Sequence, residues 1–271
     1  ALIGVFLALF FLLPLGSLLW RSFTDKDEAF VGLENFIRYF LTPALFYSLW
    51  NSFWVSLLST AITVTLAFLF AYALTRTCMP LARLFRAMAQ IPILAPSLLP
   101  GISLVYLFGN QGMLKSWLFG DTIYGPIGIV IGEIFYTFPH ALMILITALS
   151  LADARLYEAA DSLGAGKIRT FFTVTLPSVK YGLISALFVV FTLAITDFGV
   201  PKVIGGRFNM LATDIYKQVI GQQNFSMGAV VAIVLLAPAV LAFFVDRAVA
   251  RKQMSLLSAR AVPYAPKPRP A

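Results

Sequence analysis

Reactive side chains are scarce in this sequence. It holds one cysteine, Cys78, and one histidine, His140. That excludes an intramolecular disulfide and leaves no thiolate or imidazole cluster to grip zinc or another soft-ligand metal. Charge is scarce as well, with Asp, Glu, Lys and Arg at 12% of residues against 60% hydrophobic and a mean hydropathy of +0.88. Soluble globular domains do not have that balance, and the chain reads as a polytopic membrane protein. Its apolar runs are continuous rather than alternating, which selects helices over a closed barrel, so the expected fold class is all-α.

Apolar segments of about 20 residues, the length that crosses a bilayer, fall at 1–20, 50–75, 87–108, 126–151, 179–200 and 226–246. Six transmembrane helices are therefore expected. The third is dense in proline (Pro92, Pro96, Pro100) and carries Gly101, which predicts a kinked or locally unwound backbone. The first begins at Ala1 with no basic residues ahead of it and is too long for a cleavable signal peptide. It is counted as a span of a chain trimmed from something longer.

Six spans put both ends on one side. Placing both in the cytoplasm assigns to that side Arg76, Arg83 and Arg86, then Arg155, Lys167, Arg169 and Lys180, then Arg247, Arg251, Lys252, Arg260, Lys267 and Arg269. That is most of the 20 Lys and Arg, so the positive-inside rule favours this orientation. The net charge of +8 is read the same way, and no nucleic-acid partner is expected. The expected layout is a six-helix domain over 1–250 and a basic, proline-rich linker over 251–271, leading to a second half.

One interruption cannot lie in hydrocarbon. Between 152 and 177 the chain carries Asp153, Arg155, Glu158, Asp161, Lys167 and Arg169, and each charge near a bilayer centre costs about 3 kcal/mol on insertion scales. Two short helices broken at Gly164-Ala165-Gly166 are expected, with Pro177 opening the next span. Leu156, Ala159, Ala160 and Leu163 recur at helical spacing and form a short apolar stripe. Such a helix either anchors at the membrane surface or docks into a groove on a partner.

Glu158-Ala159-Ala160, three residues, Gly164, nine residues, Val174, one residue, Leu176-Pro177 resembles the Glu-Ala-Ala loop of the membrane subunits of ATP-binding-cassette importers. Val174 departs from the family's usual isoleucine by one methylene. The resemblance implies a permease of the bacterial inner membrane, with no chemistry of its own and no cofactor. Its coupling helix, between the fourth and fifth spans, would seat Glu158, Ala159, Ala160, Asp161, Leu163, Gly164, Leu176 and Pro177 against a cytoplasmic ATPase dimer. A periplasmic substrate-binding protein would deliver the solute, and a second permease half, fused or homologous, would complete the pore. The Gly32-Leu33-Glu34-Asn35-Phe36 stretch, the run from Thr196 to Gly206 and the run from Leu211 to Tyr216 resemble the branch with two fused halves. That branch serves ferric iron, thiamine and 2-aminoethylphosphonate uptake, and the wording is most similar to the 2-aminoethylphosphonate permeases.

Three ionisable groups fall within or at the end of spans: Glu133 and His140 in the fourth, Asp197 near the outer end of the fifth. Glu133 and His140 are two helical turns apart and share a face. Intramembrane ionisable groups mark translocation paths by default, and interhelical hydrogen bonding is the plainer reading. Asp197 is also placed to cap its helix. Used as an ion or proton relay, the three residues would suit a secondary transporter or channel, the alternative to the importer. Gly128 and Gly132 form a small-xxx-small packing pattern.

Two enzymatic readings fail. Gly164-Ala165-Gly166-Lys167 partly matches a phosphate loop, yet Asp161 stands where the first glycine belongs and Ile168 where the magnesium-binding hydroxyl belongs. Gly101-Ile102-Ser103-Leu104 with His140 lacks the second glycine an intramembrane serine protease would keep, at Leu104.

Overall fold

In the computed structural model of the chain, residues 2–256 are described. Among them the secondary structure is helical, apart from one isolated bridge between Thr24 and Phe30. In chain order the helices are α1 (Leu2–Arg21), α2 (Glu34–Leu41), α3 (Pro43–Arg76), α4 (Ala82–Leu94) and α5 (Leu98–Phe108). There follow α6 (Pro126–Ser150), α7 (Ala154–Ser162), α8 (Lys167–Thr196), α9 (Gly199–Ile204), α10 (Leu211–Tyr216) and α11 (Phe225–Leu256). Five are long and apolar enough to cross a membrane: α1, α3, α6, α8 and the Phe225–Val249 part of α11.

The third expected span is not one helix. α4 and α5 meet at a break with a bend of 103°, and they make a sixth span only if counted together. The cause is Pro96, because a residue before proline is pushed out of the helical region. Ala95 accordingly sits at φ −96, ψ 134. The second span begins earlier than expected, at Pro43, where a proline at the first helical position is pre-organised for helix. At 34 residues α3 is about 51 Å long, well beyond the ~30 Å hydrocarbon layer. The fifth also starts earlier. The second short helix expected after Gly166 is the first turn of α8, joined to the rest through a π turn at Phe171–Thr175. Pro177 therefore lies inside α8 rather than opening it, and its ring would clash with the carbonyl four residues back, which the widened turn relieves. α11 continues to Leu256, past the expected domain boundary at 250, and the rest of the expected linker lies outside the described residues.

The chain divides into two compact units. Of the described residues, unit 1 comprises those up to Val55, Gly101–Ile129 and Ile195–Ala239; unit 2 comprises Ser56–Pro100, Val130–Ala194 and those from Val240. Within unit 1, short polar ties fix the loops. Asn51 Nδ2 donates to the Asn209 carbonyl at 3.0 Å, Leu211 N–H donates to Ser52 Oγ at 2.8 Å, and Asn35 Nδ2 donates to the carbonyls of Ser22 and Thr24. Gly128 lies against Ile204, where a Cβ would fall 2.8 Å from the isoleucine terminal methyl, consistent with the close approach expected of it.

Within unit 2, the core gathers Val64, Ala67 and Phe68 of α3, Leu142, Leu145 and Leu149 of α6, and Val179, Ala186 and Val190 of α8. Small residues set the spacing: Gly182 of α8 meets Ala148 of α6 so closely that an added Cβ would fall 2.3 Å from the alanine's. The buried hydroxyls of Thr63 and Thr137, 3.2 Å apart, tie α3 to α6.

Candidate functional site

The loop after α6 is built by local rules. Asp153, in extended backbone, caps α7 by accepting from Arg155 N–H at 3.0 Å. At the other end Gly164 adopts φ +69, Ala165 N–H reaches the Ala160 carbonyl at 2.9 Å and Gly164 N–H reaches the Asp161 carbonyl at 3.0 Å. This is the Schellman termination, in which a glycine turns left-handed so that the last carbonyls of a helix find donors. Gly164 thus has a backbone reason to stand four residues after Ala160.

α7 has two faces. Tyr157 and Ala160 are buried, whereas Leu156, Glu158, Ala159, Asp161, Leu163 and Gly164 are exposed, Leu163 by 85%. The expected stripe is therefore split, with Ala160 turned inward and the other three outward. Ile168 and Phe172, exposed by 77% and 61%, extend the outward apolar surface into α8. Leu176 is half-buried and Pro177 exposed.

Beneath α7 lies a polar chain that the sequence reading missed. Tyr157 OH donates to Thr175 Oγ1 at 3.1 Å, Arg76 Nε donates to the Tyr157 hydroxyl at 3.3 Å, and the Arg76 guanidinium carbon lies 5.0 Å from the tyrosine ring centroid. The available signals were an arginine closing a long apolar span and an aromatic three residues before Ala160.

The intramembrane candidates are divided between the two units. Glu133 is fully buried in α6, and its carbonyl accepts from Thr137 Oγ1 at 2.7 Å. His140, on the same helix beyond Pro139, is half-buried with its ring edge-on to Tyr136 at 5.7 Å between centroids. Asp197 belongs to unit 1 and the other two to unit 2. Asp197 follows the last residue of α8 and does not cap that helix. Its Oδ2 accepts from Val200 N–H at 2.8 Å, holding the first turn of α9.

A second buried carboxylate in unit 1 escaped notice. Asp214 of α10 is 3.7 Å from the Lys217 ammonium, with its side chain 5% exposed. Burial pushes its carboxyl up from the ordinary value, against the opposing pull of the Ser48 hydroxyl and the Lys217 ammonium. Tyr39 is held well above the usual phenol value by burial and by the Asp214 charge. Among the described residues no group of three His, Cys, Asp or Glu could hold a metal ion.

Residues 64–255 match the family described as binding-protein-dependent transport system inner membrane component, and the chain belongs to that family. It is 28% identical over 260 residues to the ferric transport system permease protein FbpB of Actinobacillus pleuropneumoniae, covering 91% of this chain and 37% of that protein. It is 28% identical over 243 residues to the spermidine/putrescine transport system permease protein PotB of Escherichia coli K12, covering 84% and 88%. The chain spans between about a third and under two-thirds of the FbpB proteins and the Mycoplasma PotC homologues it matches. Among solved structures, a bacterial alginate ABC transporter in complex with an alginate pentasaccharide-bound periplasmic protein matches with a TM-score of 0.70. That match has 16% identity over 96% of this chain and 94% of the other. The MetNI methionine ABC transporter in an inward-facing form matches with a TM-score of 0.59, at 17% identity over 79% and 99%. At these identities the likeness is one of fold.

Proposed function

We propose that the chain is a permease subunit of an ATP-driven importer, using α7 as the coupling helix that a cytoplasmic ATPase dimer grips. The observation that carries this reading is the outward stripe of Leu156, Ala159 and Leu163 on a helix fixed at both ends, within the segment that matches the family. A helix of nine residues is unstable alone. Here its buried face is satisfied by its own chain, so the apolar outer face and the flanking Glu158 and Asp161 are left for a groove on a partner. ATP chemistry belongs to that partner.

A periplasmic binding protein delivers the solute, and a second membrane half, fused or separate, completes the path. None of the most apolar window of α1 is buried, which fits a span that packs on lipid or on that second half. The termini lie in the cytoplasm on the positive-inside argument. The solute is small and charged, in line with what the relatives are named for, with 2-aminoethylphosphonate and then ferric iron the first to try. Glu133, His140 and Asp197 are the candidate lining of the path.

Co-purification tests the reading. The expected result is an ATPase subunit that stays with the intact protein and leaves when Gly164 is replaced by Val, which cannot hold the left-handed turn. Its ATPase activity in liposomes should rise with binding protein loaded with 2-aminoethylphosphonate or with ferric iron. Uptake that persists without ATP and collapses with the proton gradient would instead support a carrier working through Glu133, His140 and Asp197.

A further inference from the structure

Four segments of unit 2 are joined through one arginine and one tyrosine. Arg76 is the last residue of α3, and its Nη2 donates to the Leu149 carbonyl at 2.5 Å. That carbonyl belongs to the last turn of α6, where backbone acceptors lack intrahelical donors and the helix dipole favours a cation. The same guanidinium lies over the ring of Tyr157 and reaches its hydroxyl, and that hydroxyl donates to the buried Thr175 in the π turn of α8. Leu149 carbonyl, Arg76, Tyr157 and Thr175 thus form one polar chain linking α7 to the ends of three spans.

The geometry matters more than the strength. Apolar packing under a short helix lets it roll, whereas a guanidinium that hydrogen-bonds through its N–H groups and sits over an aromatic ring fixes direction as well as distance. Tyr157 occupies the inner face of α7, and Leu156 and Leu163 occupy the outer one. A push on the outer face therefore meets a directional contact on the inner one. The π turn at Phe171–Thr175 places Thr175 at a widened stretch of α8, a form of helix that tolerates local rearrangement.

We infer that Arg76 and Tyr157 are positioning residues that carry motion of α7 into α3, α6 and α8, so that a grip on the coupling helix moves the membrane spans. The inference rests on the permease reading above, and the two fail differently. The test is hydrogen exchange on the assembled complex of full chain and ATPase in lipid nanodiscs, with and without ATP plus orthovanadate. In the unaltered complex, nucleotide trapping is expected to change exchange both in α7 (154–163) and in the span ends at 142–150 and 171–178. In Arg76→Ala the α7 response should remain while the span-end response falls by about tenfold, the scale of losing a charged hydrogen bond. Arg76→Lys should recover part of it. Tyr157→Phe, which keeps the ring under the guanidinium and loses the hydroxyl's bonds to Arg76 and Thr175, should fall between.

A full span-end response in Arg76→Ala overturns the inference. So does an α7 that exchanges freely in that variant even without nucleotide, since Arg76 would then merely staple the helix in place. An unaltered complex whose α7 ignores nucleotide overturns the permease reading, and the role of Arg76 and Tyr157 with it.

Discussion

In unit 1, Asn35, Asn51, Ser52 and Asp197 each bind a backbone group and so hold a loop or a short helix in place. In unit 2, the polar chain from Arg76 to Thr175 lies under a helix whose outer face exposes an apolar stripe flanked by charges. Both sets are buried or half-buried, both are hydrogen-bonded, and both stand out in an apolar sequence. Polarity inside a membrane protein therefore does not by itself mark a working site. What separates the two is that the unit 1 contacts each hold a loop or short helix by its own backbone, whereas those of unit 2 lie on the inner side of a helix whose Leu156 and Leu163 are exposed.

The comparison can be broken by substitution, beginning with packing. Gly182→Val would drive a side chain into Ala148, whose Cβ is 2.3 Å from where the new one must start. Overpacking of this kind costs about 1–3 kcal/mol or more, and the variant should show the lowest melting temperature of the set in detergent. Ser52→Ala comes next. It leaves the buried Leu211 N–H without its acceptor, a loss of about 1–3 kcal/mol, and should lower the melting temperature without affecting retention of the ATPase.

Asp197 sharpens the contrast between holding and working. Asp197→Ala removes the acceptor for Val200 N–H and should cost about 1 kcal/mol, the scale of a lost helix cap, while Asn should retain most of it. Unchanged uptake in Asp197→Asn would assign the residue to the fold; lost uptake at unchanged melting temperature would assign it to the path.

Asp214 gives a pH signature. Its carboxyl is pushed up by burial, so the folded state holds the proton more tightly than the unfolded chain does. The group therefore costs stability above its raised pKa, and the cost fades as pH falls through that value towards the unfolded one. Asp214→Asn should raise the melting temperature at neutral pH, with the gain shrinking on acidification. Smallest of all in stability should be Leu163→Asp, at an exposed position, within about 0.5 kcal/mol of the parent. It should nonetheless lose the ATPase, the reverse of Ser52→Ala.

Much of the fold could be read from composition because hydrocarbon admits so few solutions: continuous apolar runs became helices, and Pro96 broke the third where its backbone rule required. The start of α3 was harder, since the buried Ser48 and Ser52 and the half-buried Asn51 lower its hydropathy while facing inward. In the candidate site the Gly164 turn was legible, because a left-handed helix end favours glycine. Arg76 and Tyr157 were not. They lie 81 residues apart and meet only through packing that no local pattern encodes. Asp197 was expected to cap the outer end of its own span, but a carboxylate accepts from the free N–H groups at a helix start, and it holds the first turn of α9 instead.

The central claim is that the outer face of α7 is the surface an ATPase grips. Leu163→Cys in a Cys78→Ser background, treated with a short thiol-directed photocrosslinker in the assembled complex, tests it most directly. The account predicts a covalent adduct between position 163 and the ATPase subunit, weakened when nucleotide changes the contact. An ATPase that co-purifies in full yet never cross-links from position 163 would contradict it.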